Sequence, residues 1–554
     1  MGHAEILCAL RTRVSPDSLK SWLQQLEAFG TRHTYSDTVS NTSGIGAVRR
    51  WVFGKFQQFS AANDDRLIPA YLQFDYSDTT VCGPAQGWRD VFAVLPGDDT
   101  TNKSIVLIEA HMDSRCADNC DPTCSAPGAE DNGSGSALVI ELARVMSRYT
   151  FHHTIVFMLT IGEEQGLIGA DAMATYCVDQ GVAIKGVQNN DIVGGILCGY
   201  TSSPPSCQGP GQVDSLQVRL FSNGSSSLPH RGFARTVKMY YQEKLQPQVP
   251  VPMTISIINL EDRIGRGGDH IPFRAKGFRN LRFTAANEDG DASVDSSWYV
   301  DRQHTSNDRL GVDTDGDLLV DSFFVDFNYL QRNAVINGMT AALLAVGPEP
   351  PGFIVHNELT GLRVSFTSGF NRLAYRIGVR NGNPSIDFDA VYKTTDTSFA
   401  IPGLSQNHYY YVSVATIDSA TVMSPFSIEA VKYNAADTPP GAMDALPFGI
   451  GCVPIGITEA AKASSASITL LPCAPDPFTD QTTIVVEVGR SIMYHEAFIV
   501  VRDPQGRELT RFRIALHRGT NALNYHHPGS AGIYLYTLLV DDRIIGSRSM
   551  VVLD

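Results

Sequence analysis

Between residues 90 and 191, short β-branched or continuously apolar runs alternate with segments of helical period. Val91–Leu95, Ser104–Ile108, Thr154–Ile161 and Ile184–Gln188 are too short for helices and read as strands, whereas Ala137–Met146 and Ala170–Cys177 are amphipathic. Strands apolar on both faces, separated by helices, specify a mixed, mostly parallel α/β sheet with helices on both faces. Near residue 346 that texture stops. Gly347, Pro348, Pro350 and Pro351 form a linker, and Leu362–Phe366, Ala374–Val379 and Tyr409–Ala415 then alternate like strands of an all-β sandwich. A second stretch, 435–456, is rich in Pro, Gly and Ala and precedes further strands at Thr483–Val488, Ala497–Val501 and Ile533–Val540. Residues 15–75 read as helical with polar breaks, Ser15 capping a run with Leu19, Trp22, Leu23 and Leu26 at helical spacing. The expected organisation is an α/β domain over 1–345, a sandwich over 352–433, a linker over 434–464 and a second sandwich over 465–554.

A chain of 554 residues exceeds what one core supports, so division into domains is required. Its formal charge is −15 and Lys and Arg form no long basic stripe, which argues against a nucleic-acid partner. No apolar run has the length of a transmembrane helix. Met1–Arg13 carries an apolar patch, Ile6–Leu10, without a preceding basic region and does not read as a signal peptide. Cys116, Cys120 and Cys124 crowd one loop, with Cys177, Cys198 and Cys207 downstream. Disulfides in an oxidising compartment are expected over a thiolate metal site, without a readable pairing.

Five residues stand in short, mostly Gly-flanked segments, four of them after apolar runs: His111, Asp131, Glu164, Asp191 and His304. Each has an ordinary structural explanation on its own: a hydrogen-bonded loop, a helix N-cap, a macrodipole pair, a surface histidine. Together they offer imidazole to each of two zinc ions and a carboxylate to bridge them. Asp113 shares a side of the extended backbone with His111 and can orient its ring. Glu163, beside Glu164 at a strand end, points in a different direction and can serve as the base for a water molecule.

The segments resemble, in family order, the zinc-dependent exopeptidase family that includes bacterial leucyl aminopeptidases, aminopeptidase Y-like enzymes, glutamate carboxypeptidases and glutaminyl cyclases. The resemblance covers roughly 15–345 and rests on His111-Met112-Asp113-Ser114, Glu130-Asp131-Asn132-Gly133-Ser134-Gly135, Gly162-Glu163-Glu164-Gln165-Gly166, Asn190-Asp191-Ile192-Val193-Gly194, Gly268-Asp269-His270-Ile271-Pro272-Phe273 and His304-Thr305. It implies a phosphorylase/hydrolase-like fold, with His111 and Asp191 on one zinc, Glu164 and His304 on the other, and Asp131 bridging. It further implies Glu163 as general base, Asp113 as the orienting group and a cis peptide bond between Asp131 and Asn132. Gly268 stands where the family usually has serine, and Asp269 and His270 are assigned to the substrate pocket. The expected activity is release of N-terminal residues from peptides or proteins. The alternatives are glutaminyl cyclase or carboxypeptidase chemistry on the same fold, or a non-catalytic surface adhesion protein built on a peptidase scaffold.

Residues 352–433 resemble a fibronectin type III domain, on Leu404, Tyr410, Val412 and Val414. Residues 465–554 resemble the C-terminal sorting domain of bacterial type IX secretion. That resemblance is carried by Pro475-Asp476-Pro477-Phe478, Asp503-Pro504-Gln505-Gly506-Arg507 and Gly532-Ile533-Tyr534-Leu535-Tyr536. It implies a secreted or cell-surface protein that engages the type IX machinery. Two acidic loops, Asp289-Gly290-Asp291 with Asp295 and Asp315-Gly316-Asp317 with Asp321, have the oxygen density that suits Ca²⁺, solvated turns being the other reading.

Overall fold

The computed structural model describes residues 3–79, 81–197, 213–263, 265–286, 288, 302–317, 320–367, 372–382, 387–444, 468–489, 496–503, 508–527, 529–540 and 543–553. Cys198, Cys207, the loop of Asp289, Asp291 and Asp295, and 445–464 of the linker lie outside the described residues. The chain divides into two compact units, Met1–Cys452 and Val453–Asp554.

The first unit opens with α1 (His3–Arg13), α2 (Pro16–Ala28) and α3 (Gly44–Ala61). Ser15 caps α2 as its sequence predicts, its hydroxyl accepting the Ser18 N–H at 3.2 Å. The helical expectation for 15–75 fails at its end, because β1 (Ile68–Tyr76) pairs antiparallel with β2 (Ala85–Leu95). This edge strand holds Pro69 and is half-buried along most of its length, so its aromatic alternation is weak in sequence and gains stability only from pairing.

Then follow β3 (Ile105–His111), α4 (Gly133–Met146), β4 (Thr154–Thr160), α5 (Ile168–Asp179), β5 (Ile184–Asn190), β6 (Gln217–Phe221), α6 (His230–Tyr240), β7 (Thr254–Ile258), α7 (His270–Ala275) and β8 (Asn280–Ala285). A two-residue ladder, β9 (Gly311–Val312) with β10 (Ser322–Phe323), precedes α8 (Phe327–Val346). The eight-stranded sheet has the order β1-β2-β4-β3-β5-β8-β6-β7. Its centre is parallel, β4 with β3, β3 with β5 and β5 with β8. Helices α4 and α8 cover one face and α5 and α7 the other, as continuous apolar strands require. The C-terminal ends of β3, β4 and β5 therefore lie side by side and release His111, Glu163 and Asp191 into one region.

Within the same unit, β11 (Phe353–Glu358), β12 (Gly361–Phe366), β13 (Arg372–Asn381), β14 (Ala390–Thr394), β15 (Ser398–Ala400), β16 (His408–Asp418) and β17 (Ala430–Asn434) form sheets β11-β12-β15 and β14-β13-β16-β17. Ala374, Ala415, Met423 and Phe426 join the apolar core of the α/β part, and the Thr236 hydroxyl accepts the Phe426 N–H at 2.8 Å. The second unit contains β18 (Ile468–Leu470), β19 (Gln481–Val488), β20 (Ala497–Arg502), β21 (Glu508–Arg513), β22 (Gly519–His526), β23 (Gly532–Val540) and β24 (Arg543–Val552), in sheets β18-β19-β22 and β21-β20-β23-β24. Alternate residues of β19, among them Ile484, Val486 and Val488, enter its core. Among the described residues no helix is long and apolar enough to cross a membrane.

Candidate metal centre

His111 is the last residue of β3 and lies opposite Thr160 of β4. Its Nδ1 is 3.1 Å from the Asp113 carbonyl oxygen and 3.6 Å from the Asp113 carboxylate, so the backbone of Asp113 is the nearer acceptor. A proton on Nδ1 leaves the Nε2 lone pair for a metal. The Asp113 carboxylate instead accepts from the Thr34 hydroxyl at 3.1 Å and the Glu164 N–H at 3.3 Å, which ties the β3 end to the β4 end.

Asp131 is freed for ligation by its neighbour. Asn132 caps α4, its side-chain oxygen taking the Gly135 N–H at 2.9 Å, and the Asp131–Asn132 peptide bond is cis. Asp131 sends Oδ1 to within 3.3 Å of His111 Nε2 and Oδ2 to within 3.1 Å of His304 Nε2. Asp191 Oδ1 lies 3.4 Å from His111 Nε2, and Glu164 Oε2 lies 3.2 Å from His304 Nε2. The donors fall into three overlapping sets, His111 with Asp131 and Asp191, His304 with Asp131 and Glu164, and His111 with Glu163 and Glu164, each with its donor atoms inside 4.8 Å of one another. All five expected donors converge, and Glu163 joins them with its Oε2 3.9 Å from His111 Nε2.

The donor chemistry fits divalent zinc: imidazole nitrogens and carboxylate oxygens, predominantly buried, with Glu164 Oε1 lacking a hydrogen-bond partner. Burial alone would raise the Asp131 carboxyl, but His111 and His304 hold it well below the usual range. Burial pushes Glu163 well above its ordinary value, reinforced by Asp191, Glu164 and Asp269 and opposed by His111. Burial would lower His304, yet Glu164 and Asp131 raise it to about 9.

Three residues that support these donors escaped the sequence reading. Arg282 in β8 is fully buried and approaches Asp191 Oδ2 at 2.9 Å and Asp262 at 2.8 Å. Arg115 donates from Nε to Glu164 Oε2 at 2.8 Å and brings NH2 within 2.7 Å of His304 Nδ1. Asp308 accepts the Glu130 and Asp131 backbone N–H groups at 2.9 and 3.0 Å. The proximity of Asp308 to His304 in sequence was a faint signal; Arg282 had none.

Asp269 and His270 are fully buried at the start of α7. Asp269 accepts the Thr160 hydroxyl and burial raises its carboxyl to about 7, while His270 Nε2 is 3.1 Å from the Glu261 carbonyl. Asp269 lies close enough to His111 for the two charges to act on each other. The loop between His111 and Asp131 is closed by disulfides Cys116–Cys124 and Cys82–Cys120, the second reaching the β1–β2 connection. These pairings exclude thiolate ligation by Cys116, Cys120 and Cys124, and Cys177 is free and buried. Asp313, Asp315 and Asp321 also gather, but in the open: Asp313 caps the Gly316 N–H and Asp321 accepts from Thr314.

Residues 90–319 match the model of peptidase family M28. The chain is 28% identical over 461 residues to a probable zinc metalloprotease of Pyrenophora tritici-repentis, covering 81% of this chain and 98% of that protein. It is 31% identical over 446 residues to a probable zinc metalloprotease of Leptosphaeria maculans, covering 78% and 96% respectively. Among solved structures, the LapA aminopeptidase of Legionella pneumophila aligns at 18% identity and a TM-score of 0.44, over 63% of this chain and 76% of that one. The chain belongs to peptidase family M28. It is a peptide hydrolase, and membership implies zinc as the metal of the centre.

Proposed function

We propose that the chain is a co-catalytic dizinc aminopeptidase that removes N-terminal residues from peptides. The observation that carries this reading is the division of Asp131, one oxygen toward His111 and the other toward His304. His111 and Asp191 would hold one ion, Glu164 and His304 the second, and Asp131 both. When bound, the zinc pair supplies Lewis-acid polarisation of the scissile carbonyl and a more acidic water. Glu163 stands in a set of its own with His111 and Glu164, outside the two sets that share Asp131, and its raised proton affinity suits a base that would keep the proton of the attacking water and return it to the leaving amine. Asp113, Arg282 and Asp308 hold the donors in place, and Asp269, fully buried, acts on the charge of His111.

The deciding experiment assays zinc-loaded protein on aminoacyl anilides and on matched N-blocked peptides, with metal counted per chain. Two ions and cleavage confined to free N-termini support the proposal. One ion with cyclisation of N-terminal Gln identifies a cyclase, and preference for blocked peptides identifies a carboxypeptidase. A purely adhesive role gives way to family membership.

The outer domains extend the proposal. Tyr410 accepts the Ser405 N–H on its hydroxyl at 2.8 Å, as a fibronectin type III tyrosine corner does, which supports that reading of 352–433. Export by the type IX route is proposed on the motifs of 465–554 alone, and mass analysis of secreted protein tests it through loss of that tail. The two disulfides favour an oxidising, extracellular setting.

A further inference from the structure

We infer that Arg115 is a specificity-determining residue that selects substrates bearing a carboxylate close to the scissile bond, an inference that rests on the peptidase reading above. Arg115 and His304, the one member of the donor cluster that reaches it, together line a cavity of about 1060 Å³. The cavity also holds Arg302, whose guanidinium lies 3.6 Å from the Phe324 ring centre, and the exposed Arg309, which donates from Nε to Ser306. Its acids are Glu27 and Asp313, and both are engaged by backbone: Glu27 accepts the Leu310 N–H at 3.2 Å and Asp313 the Gly316 N–H at 2.6 Å. Three guanidinium groups in one cavity of a chain with net charge −15 make it a local cationic site.

The decisive detail is the pair of contacts made by Arg115. When His304 gives its Nε2 lone pair to a metal, its one ring proton stands on Nδ1. A guanidinium has donors only, so Arg115 NH2 cannot keep the 2.7 Å contact with that atom. The Nε contact to Glu164 meets no such conflict, because the carboxylate has a second oxygen, Oε1, with no hydrogen-bond partner. With metal bound, Arg115 is held by Nε on Glu164 and by NH1 on the Cys116 carbonyl at 3.1 Å, and NH2 is released from His304. A tethered guanidinium with a released edge is suited to bind a carboxylate. That carboxylate is either an acidic side chain of the substrate or the terminal carboxylate of a short peptide.

The test uses the zinc-loaded full chain carrying Glu163→Gln, so that bound peptides stay uncleaved, and calorimetric Kd values for three peptides. Leu-Gln amide has no carboxylate, Leu-Glu amide has one on the side chain, and Leu-Gln free acid has one at the terminus. We expect at least one acid to bind tenfold or more tightly than the neutral amide, its identity naming the source. Added Arg115→Gln, with zinc content checked, collapses the acid-to-amide ratio to within twofold, and Arg115→Lys restores part of it. If Arg115→Gln loses zinc, Arg115→Lys is read instead with zinc content checked, and a ratio there equal to that of the starting protein overturns the inference. A ratio near one in the starting protein also overturns it while leaving the aminopeptidase reading intact. Absence of cleavage of every free-amine peptide by the native chain defeats that reading, whatever the binding ratio.

Discussion

Arg282 lies 2.9 Å from the outer oxygen of Asp191, so the carboxylate facing His111 is braced from behind by a fully buried guanidinium. The same side chain also pairs with Asp262 and Glu288. Replacing it with methionine leaves Asp191 without its guanidinium, while Asp262 and Glu288 keep Arg263. The expected result is a stability loss of about 3–5 kcal/mol and zinc affinity about 10–100-fold weaker, read by denaturant unfolding and competitive zinc titration. Unchanged zinc affinity in a folded Arg282→Met protein would show that Asp191 needs no brace.

Glu163→Gln keeps the shape of the side chain and removes its basicity. We expect kcat to fall by about 10²–10⁴-fold with zinc stoichiometry unchanged, measured on an aminoacyl anilide beside elemental analysis. Near-native turnover with both metals in place would remove Glu163 from the chemistry.

Chelation abolishes activity and lowers the thermal midpoint, because zinc binds the folded state alone. At free zinc 100 times its Kd the stabilisation is about 2.7 kcal/mol, and it returns when zinc is restored. Calorimetric scans with chelator, and after zinc is added back, measure both.

The disulfides Cys116–Cys124 and Cys82–Cys120 span 8 and 38 residues of chain. Each typically contributes about 2–4 kcal/mol, the longer loop more. Paired Cys→Ser variants should therefore melt lower, Cys82/Cys120 lowest, in thermal scans at fixed zinc. A reversed order would assign the effect to native contacts of the loop.

Burial lowers the His230 imidazole to about 4, with Nδ1 accepting the Asn280 N–H at 3.1 Å. The unfolded chain takes up this proton near 6.5 and the folded chain near 4, so the stabilisation is complete above pH 6.5 and is lost as pH falls toward 4. The size is about 3 kcal/mol. Unfolding free energies at pH 7 and pH 4.5 should differ less in His230→Gln than in the native chain; an equal difference would exclude His230 as the source.

Much of the fold was legible because its signals are local. The period-two and continuous apolar runs at 105–111, 154–160 and 481–488 are strands, and Ala137–Met146 lies in α4. β1 reads as part of a helical stretch, since a half-buried edge strand with Pro69 carries little pattern until β2 pairs with it. The candidate donors stand in short segments of the sequence as well: His111 and Asp191 lie at the ends of β3 and β5 and Glu164 just past β4, where a parallel sheet presents functional groups. Asp131 shows where the local signal ends: as a residue before a helix it reads equally as a cap, and only the folded chain gives that task to Asn132.

The sequence by itself determined the layer architecture and the candidate donors, because both depend on residue type and on spacing within a few positions. Tertiary structure decided which side chains hold those donors. Arg115 reaches Glu164 across 49 positions and His304 across 189, and Asp308 reaches the Asp131 amide across 177. A buried carboxylate needs a partner, but nothing local specifies which distant guanidinium or carboxylate the sheet will bring to it. Packing makes that choice, and in doing so it sets the two sides of Asp131 toward two different histidines.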